Sequence, residues 1–193
     1  MKLKIFRILA PCLFLAMSGA AHSALITVST TLDYAQEVAP SNPAPSTATG
    51  VATIMIDTAA GLLDLSATIM GISLADVTFP SAPLAFGAAG PFHIHQGAAG
   101  TNGGIVVPFS EAGFFTGTAD GLSISATDVV FDAALIAPLL AGELYLNLHS
   151  LDYASGEIRG QISVPVAVPA PSVVALFCAA LLGMAFRLRR RLS

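Results

Sequence analysis

Between Leu25 and Val164 the chain is cut into short runs of β-branched and apolar residues by clusters of Gly, Pro, Asn, Asp and Ser. That segmentation disfavours long helices and favours strands joined by tight turns. Leu25 to Leu32 (LITVSTTL) suits an opening strand, and a Pro/Ser/Thr-rich loop from Ala39 to Thr49 follows it. Gly50 to Ile56 and Leu62 to Met70 are the next two strands, with Asp57 to Gly61 between them as a hairpin turn. Alternation places Leu63, Leu65, Ala67 and Ile69 on one face of the second. After an irregular stretch from Asp76 to Pro91, strands are expected over Phe92 to Gln96, Ile105 to Phe109, Phe114 to Ala119 and Leu122 to Ala126. A last pair runs over Leu144 to His149 and Glu157 to Val164. Asn102-Gly103 and Asp120-Gly121 are tight-turn dipeptides, and only Asp128 to Leu140 reads as helix, with Asp128 as its N-cap and Pro138 ending it early. Many short strands with one short helix imply an all-β domain, an antiparallel sandwich or barrel, of which a β-sandwich with Greek-key-like connections is the expected form.

The two ends break this pattern. Lys2, Lys4 and Arg7 flank the start of an apolar run from Ile8 to Met17, and Ser18-Gly19-Ala20-Ala21 follows; residues 1–23 read as a secretory signal peptide. At the other end a proline-marked linker, residues 165–171, leads to an apolar stretch from Val173 to Phe186 and then to Arg187, Arg189, Arg190 and Arg191. As a helix that stretch would span ~21 Å against a hydrocarbon core of ~30 Å, so hydrophobic helices are expected to flank the domain on both sides. Residues 172–193 are similar to PEP-CTERM sorting signals, with Pro169 and Pro171 bracketing an alanine where that family carries glutamate. The likeness implies export through the Sec machinery, recognition by an exosortase-type transpeptidase, and membrane association through the tail before processing. The destination it implies is the cell envelope or the extracellular space. A plain C-terminal membrane helix is the alternative reading of the same residues.

Setting the ends aside changes the electrostatics. Of the eight basic residues only Arg159 falls within residues 24–164, which hold all twelve carboxylates. A domain this acidic is repelled by nucleic acid and by anionic membranes. Both cysteines, Cys12 and Cys178, belong to the ends, so the domain has no internal disulfide and depends on core burial for stability.

The last strand pair carries the most information. In LYLNLHS, Leu144, Leu146 and Leu148 share one face and Tyr145, Asn147 and His149 the other. In GEIRGQI, Ile158 and Ile162 oppose Glu157, Arg159 and Gln161. With Ser150 to Gly156 as the loop, an antiparallel register sets His149 opposite Glu157, Asn147 opposite Arg159, and Tyr145 opposite Gln161. The domain's one cation then lies in a polar face, where Asn147, Glu157 and Arg159 form a structural hub with Glu157 as the simplest partner of the guanidinium. Binding of an anionic ligand by Arg159 is the alternative.

His93 and His95 also share a face, so two imidazoles can meet one ion. His149 is the only further histidine of the domain, and three would match a zinc site with an open position or a copper site. Alternatively, His93 and His95 hydrogen-bond carbonyls of the Gly97 to Gly104 loop and hold it in place. Enzyme templates are missing: residues 24–164 contain no Gly-x-Ser-x-Gly, no His-Glu-x-x-His and no lysine, so a noncatalytic role is expected.

FHIHQGAAGTNGGIVVPF, followed some forty residues later by LYLNLHSLDYASGEIRGQI, is similar to the CHRD domain, named from chordin and found in many exported bacterial proteins. The resemblance runs from about Leu25 to Val164 and defines residues 24–164 as the domain. Its pattern falls on His93, His95, Gly97, Gly100, Asn102 and Gly103, and then on Asn147, His149, Gly156, Glu157, Ile158, Arg159 and Gly160. It implies an all-β extracellular module with no agreed catalytic activity. A weaker likeness links GPFHIHQGAAG to the Gly-Phe-His-Val-His segment of copper/zinc superoxide dismutases, which are also β-sandwiches. This chain lacks that family's disulfide cysteines and further zinc-ligand histidines. The second likeness therefore implies a distantly related fold with at most a mononuclear site, and no dismutase activity.

Overall fold

The computed structural model describes residues 25–38, 44–78 and 89–165. The signal peptide, most of the linker and the sorting tail lie outside the described residues, and with them Pro169, Pro171, Arg189, Arg190, Arg191 and both flanking hydrophobic segments. Among the described residues no helix is long and apolar enough to cross a membrane.

Period-two alternation builds the first half. Strands β1 (Leu25–Asp33), β2 (Thr49–Asp57) and β3 (Leu62–Met70) form a meander, with β1 and β2 paired from Leu25↔Asp57 to Asp33↔Thr49. Their inward residues, among them Val28, Leu32, Ala52, Ile54, Ile56, Leu63, Leu65, Ala67 and Ile69, are buried. The hairpin between β2 and β3 forms because Asp57 Oδ1 accepts the N–H groups of Ala59 and Ala60, both at 2.9 Å.

The rest of the chain adds β4 (Phe92–Gln96), β5 (Gly104–Phe109), β6 (Phe115–Gly117), β7 (Gly121–Val130), helix α1 (Ile136–Leu140), β8 (Leu144–Leu148) and β9 (Ile158–Ile162). All nine strands join one antiparallel sheet in the order β5-β4-β8-β9-β1-β2-β3-β7-β6. The two sheets expected from the sequence are thus one hydrogen-bonded sheet that curls on itself. Its halves are joined where Asp33 on β1 pairs with Arg159 on β9. Residues from both halves meet in one core cluster, with Phe92, Ile94, Leu146, Leu148 and Ile158 packed together with the inward residues of the meander. Full burial of each such side chain contributes roughly 1.5–3 kcal/mol, which lets the domain hold without a disulfide.

Two local expectations are corrected. The helix expected over Asp128 to Leu140 is mainly strand and turn: β7 runs on to Val130, which pairs with Leu62. Asp128 caps nothing there. It sits at φ 55 beside a register shift, and its N–H donates to Asp64 Oδ1 at 2.9 Å. The β-branched Thr127, Val129 and Val130 favour strand, so helix begins only after the Asp132-capped 3-10 turn Ala133–Leu135. Pro138 is tolerated as the third residue of α1, because first-turn N–H groups have no intrahelical acceptor. In the second correction, the turn between β4 and β5 lies ahead of Asn102-Gly103. Thr101 N–H donates to Ala98 O at 3.0 Å, and Gly100 takes φ 75.

Strands β4, β8 and β9 differ from the meander in the burial of their outward face. The outward face of the meander is open, with Val51 and Met70 each 56% exposed. The outward face of β4, β8 and β9 carries His93, His95, Tyr145, Asn147 and Arg159, none more than 8% exposed. The polar face that alternation assigns to these strands is thus enclosed.

Candidate metal centre

Register assembles the site. Strand β8 pairs with β4 through His93↔Asn147 and His95↔Tyr145, and with β9 through Asn147↔Arg159 and Tyr145↔Gln161. The two β8–β9 pairs are those expected from alternation alone. His149 lies one residue past β8, where its N–H donates to Pro91 O at 2.8 Å and Glu157 N–H donates to Leu148 O at 2.8 Å.

The three histidines converge. Ring centroids are 4.8 Å apart for His93 and His149, 5.2 Å for His93 and His95, and 6.2 Å for His95 and His149. One ligand nitrogen from each ring falls within 4.8 Å of the other two. His149 is partly exposed as a residue, although its Nε2 is covered.

Each ring also spends one nitrogen on a backbone carbonyl: His93 Nε2 on Gly90 O at 2.7 Å, His95 Nδ1 on Gly103 O at 2.9 Å, and His149 Nδ1 on Ala154 O at 2.9 Å. A carbonyl only accepts, so each of these nitrogens carries the proton and fixes the tautomer. In neutral rings the opposite nitrogens then hold lone pairs. His93 Nδ1 and His95 Nε2 face each other at 3.2 Å. Two lone pairs at that separation repel unless a proton or another cation lies between them. Protonation is opposed by burial, which with the neighbouring His149 pushes the His93 imidazole down from 6.5 to about 3. His95 and His149 are lowered too, mainly by burial and against the opposing pull of their carbonyl partners. Two nitrogens bound tetrahedrally at ~2.0–2.1 Å lie ~3.3 Å apart, close to the observed spacing. Carbonyls behind metal-binding imidazoles are the usual outer partners of such ligands.

Arg159 secures the wall beside the histidines. Its guanidinium donates to Thr101 O at 2.8 Å, Ala98 O at 3.1 Å and Gln161 Oε1 at 3.0 Å. Its Cζ lies 3.4 Å from the centroid of the Tyr145 ring. Tyr145 in turn stacks on His95, with centroids 4.9 Å apart and planes 8° from parallel. Arg159 is therefore a hub, but its hydrogen bonds go to loop carbonyls and a glutamine. Glu157 accepts instead from Ser46 Oγ at 2.6 Å.

The glycine-rich loop is fitted to this wall. Gly97 N–H donates to Glu143 O at 2.8 Å, and Asn102 Nδ2 reaches across to Val38 O at 3.0 Å. Gly103 passes so close to Gln96 O that a Cβ would collide with it, and its N–H donates to Tyr145 O–H at 3.1 Å. The sequence reading of a carbonyl-binding histidine holds for His95, through Gly103; His93 reaches back to Gly90 instead.

Sequence reasoning placed Tyr145 and Gln161 on the polar face without giving them a role. It missed Glu37 altogether, because nothing local ties residue 37 to strands a hundred residues away. Glu37 Oε1 and Asn147 Oδ1 are buried oxygens without a hydrogen-bond partner among the described residues. Burial raises the Glu37 carboxyl to about 7, against the opposing pull of Arg159.

A family model described as CHRD domain matches residues 28–162, which takes in every residue of this site. No curated protein and no solved structure matches the chain at a significant level.

Proposed function

Starting from the chain's membership of the CHRD domain family, we propose that it is an exported, noncatalytic module of the cell envelope or extracellular matrix, and that it binds one zinc or copper ion through His93, His95 and His149. The observation that carries the metal reading is the facing pair of nitrogens, His93 Nδ1 and His95 Nε2, 3.2 Å apart with their outer nitrogens committed to carbonyls. A divalent ion there meets two preset lone pairs, with His149 from the adjoining strand end as the third ligand. The all-nitrogen, charge-neutral donor set suits borderline metals over magnesium or calcium, which prefer oxygen.

The export reading rests on the two ends. The basic and apolar N-terminus and the PEP-CTERM-like tail call for the Sec machinery and an exosortase-type transpeptidase as partners, with the tail in the membrane until it is processed. A scarcity of cations leaves nucleic acid out of the partner set.

Metal analysis of the purified full chain tests the first part. Close to one equivalent of zinc or copper is expected after loading and gel filtration, and His149→Ala is expected to weaken retention at least tenfold. Equal metal content in both proteins overturns the three-histidine site. Fractionation of the native host, with mass spectrometry of the protein's termini, tests the second part. Recovery of an intact N-terminus in the cytoplasm overturns export.

A further inference from the structure

Three histidines leave a position open on a tetrahedral ion, and Asn147 stands on the same face of the sheet as two of them. Asn147 is the cross-strand partner of His93, and it lies two residues before His149 on the same face of the chain. Directly paired strand residues hold their Cβ atoms ~4.5–5.5 Å apart, so the Asn147 and His93 side chains are neighbours on this face. It is 4% exposed, and its Oδ1 has no hydrogen-bond partner among the described residues. A buried amide oxygen left in that state keeps its full desolvation penalty, which a donor at the site removes.

The neighbourhood explains why the strain is retained. A Cβ at Gly156 would lie 2.7 Å from Asn147 Nδ2, 2.8 Å from Asn147 Oδ1 and 2.8 Å from Glu37 Oε1, so the glycine makes room for this amide head. Arg159, the other polar neighbour across the sheet, points its donors at Ala98, Thr101 and Gln161. Tyr145 O–H is engaged with Gly103. Among the described residues, and apart from the histidine nitrogens assigned to the ion, Asn147 is the strand side chain on this face whose acceptor oxygen has no partner.

Resting on the three-histidine reading, we propose that Asn147 is a positioning residue for the fourth ligand of the metal: its Oδ1 accepts a hydrogen bond from metal-bound water and so orients an exchangeable position that also admits small anions. The ion would then be an open centre that takes exogenous ligands. A closed structural site would have no use for such an acceptor.

Cobalt(II), a spectroscopic substitute for zinc, supplies the test on the full-length chain, with azide as the anionic probe. Asn147→Leu removes the acceptor at similar size. It is expected to keep cobalt affinity within about threefold, while changing the visible d–d spectrum and shifting azide affinity at least tenfold. Asn147→Asp puts a carboxylate at the same place, and is expected to bind cobalt at least tenfold more tightly and to lose azide binding. Circular dichroism of both variants establishes that they fold, and an unfolded variant is replaced by Asn147→Gln, which is expected to restore the wild-type spectrum only in part. Wild-type spectra, cobalt affinity and azide affinity in both folded variants overturn the role of Asn147 and leave the three-histidine site standing. A wild-type chain that takes up no cobalt, zinc or copper overturns that site, and this inference with it.

Discussion

At the scale of single residues, glycine and histidine divide the work of this site. Gly156 adopts φ 125, and an added Cβ would press on both Asn147 and Glu37. Gly156→Ala therefore combines a disfavoured backbone conformation with a collision against buried polar atoms, and is expected to cost about 2–4 kcal/mol. Urea unfolding monitored by circular dichroism measures it. A loss below about 0.5 kcal/mol would mean that the loop relaxes away and that the Asn147 head is not confined. Arg159→Lys is the companion case, because lysine keeps the charge but not the fork that serves Thr101, Ala98 and Gln161 together. A loss of about 2–3 kcal/mol is expected, from two or three charge-assisted hydrogen bonds to neutral acceptors. Metal affinity is expected to fall as well, since the stack from Arg159 through Tyr145 to His95 loses its outer member.

At the scale of elements, β8 is the strand on which both halves of the chemistry depend. Leu144, Leu146 and Leu148 fill the core from one face while Tyr145 and Asn147 serve the polar face from the other. Leu146→Ala is expected to cost about 2–5 kcal/mol by opening a cavity, and to weaken metal binding because β8 carries Asn147 and leads into His149. Ile54→Ala on β2 is expected to cost a similar amount and leave metal affinity unchanged, since no histidine stands on that strand. Cobalt titration of both variants under folding conditions separates the two. Equal loss of affinity would show that the site senses global stability only. How far the sequence revealed these elements follows the same division. Period-two alternation gave β3, β4, β8 and the register of Asn147 with Arg159, because each depends on neighbours within one hairpin. The curl of nine strands into one sheet depends on the β1–β9 junction, where Asp33 pairs with Arg159 and Thr30 Oγ1 donates to Gln161 O, and the enclosure of the histidines depends on segments far away in the chain. Neither leaves a periodic trace. Asp128 to Leu140 misled because Asp128 has the chemistry of a cap and Pro138 reads as a helix stop, whereas the β-branched residues after Asp128 belong to β7 and Pro138 lies in the first turn of α1.

At the scale of the whole molecule, buried titratable groups set opposing demands on pH. His93 is lowered to about 3 from 6.5, and His95 and His149 are lowered as well, so the fold holds neutral imidazoles that the unfolded chain protonates more readily. Their contribution to stability is complete above about pH 6.5 and is lost as pH falls towards the folded values. Glu37 acts in the opposite sense: raised to about 7 from 4.5, its contribution is complete below pH 4.5 and is lost as pH rises through 7. Glu37→Gln is therefore expected to raise the urea midpoint more at pH 8 than at pH 4.5, and parallel curves for the two proteins would sink that assignment.

Metal joins the same linkage. Because the fold already presents deprotonated imidazoles at pH 7, uptake of zinc is expected to release less than one proton per ion, whereas unfolded histidines with ordinary values would release more as the pH approaches 6. Calorimetry in two buffers of different ionisation enthalpy reads that number directly. Zinc at a hundredfold excess over its dissociation constant is expected to add about 2.7 kcal/mol of stability, a rise in Tm on the order of 10 °C for a domain of this size. His149→Ala, binding at least tenfold more weakly, should gain no more than about 1.4 kcal/mol at the same zinc concentration. Release of one full proton or more at pH 7 would mean that the His93–His95 pair is cationic before the metal arrives, and that its 3.2 Å contact is held by a shared proton.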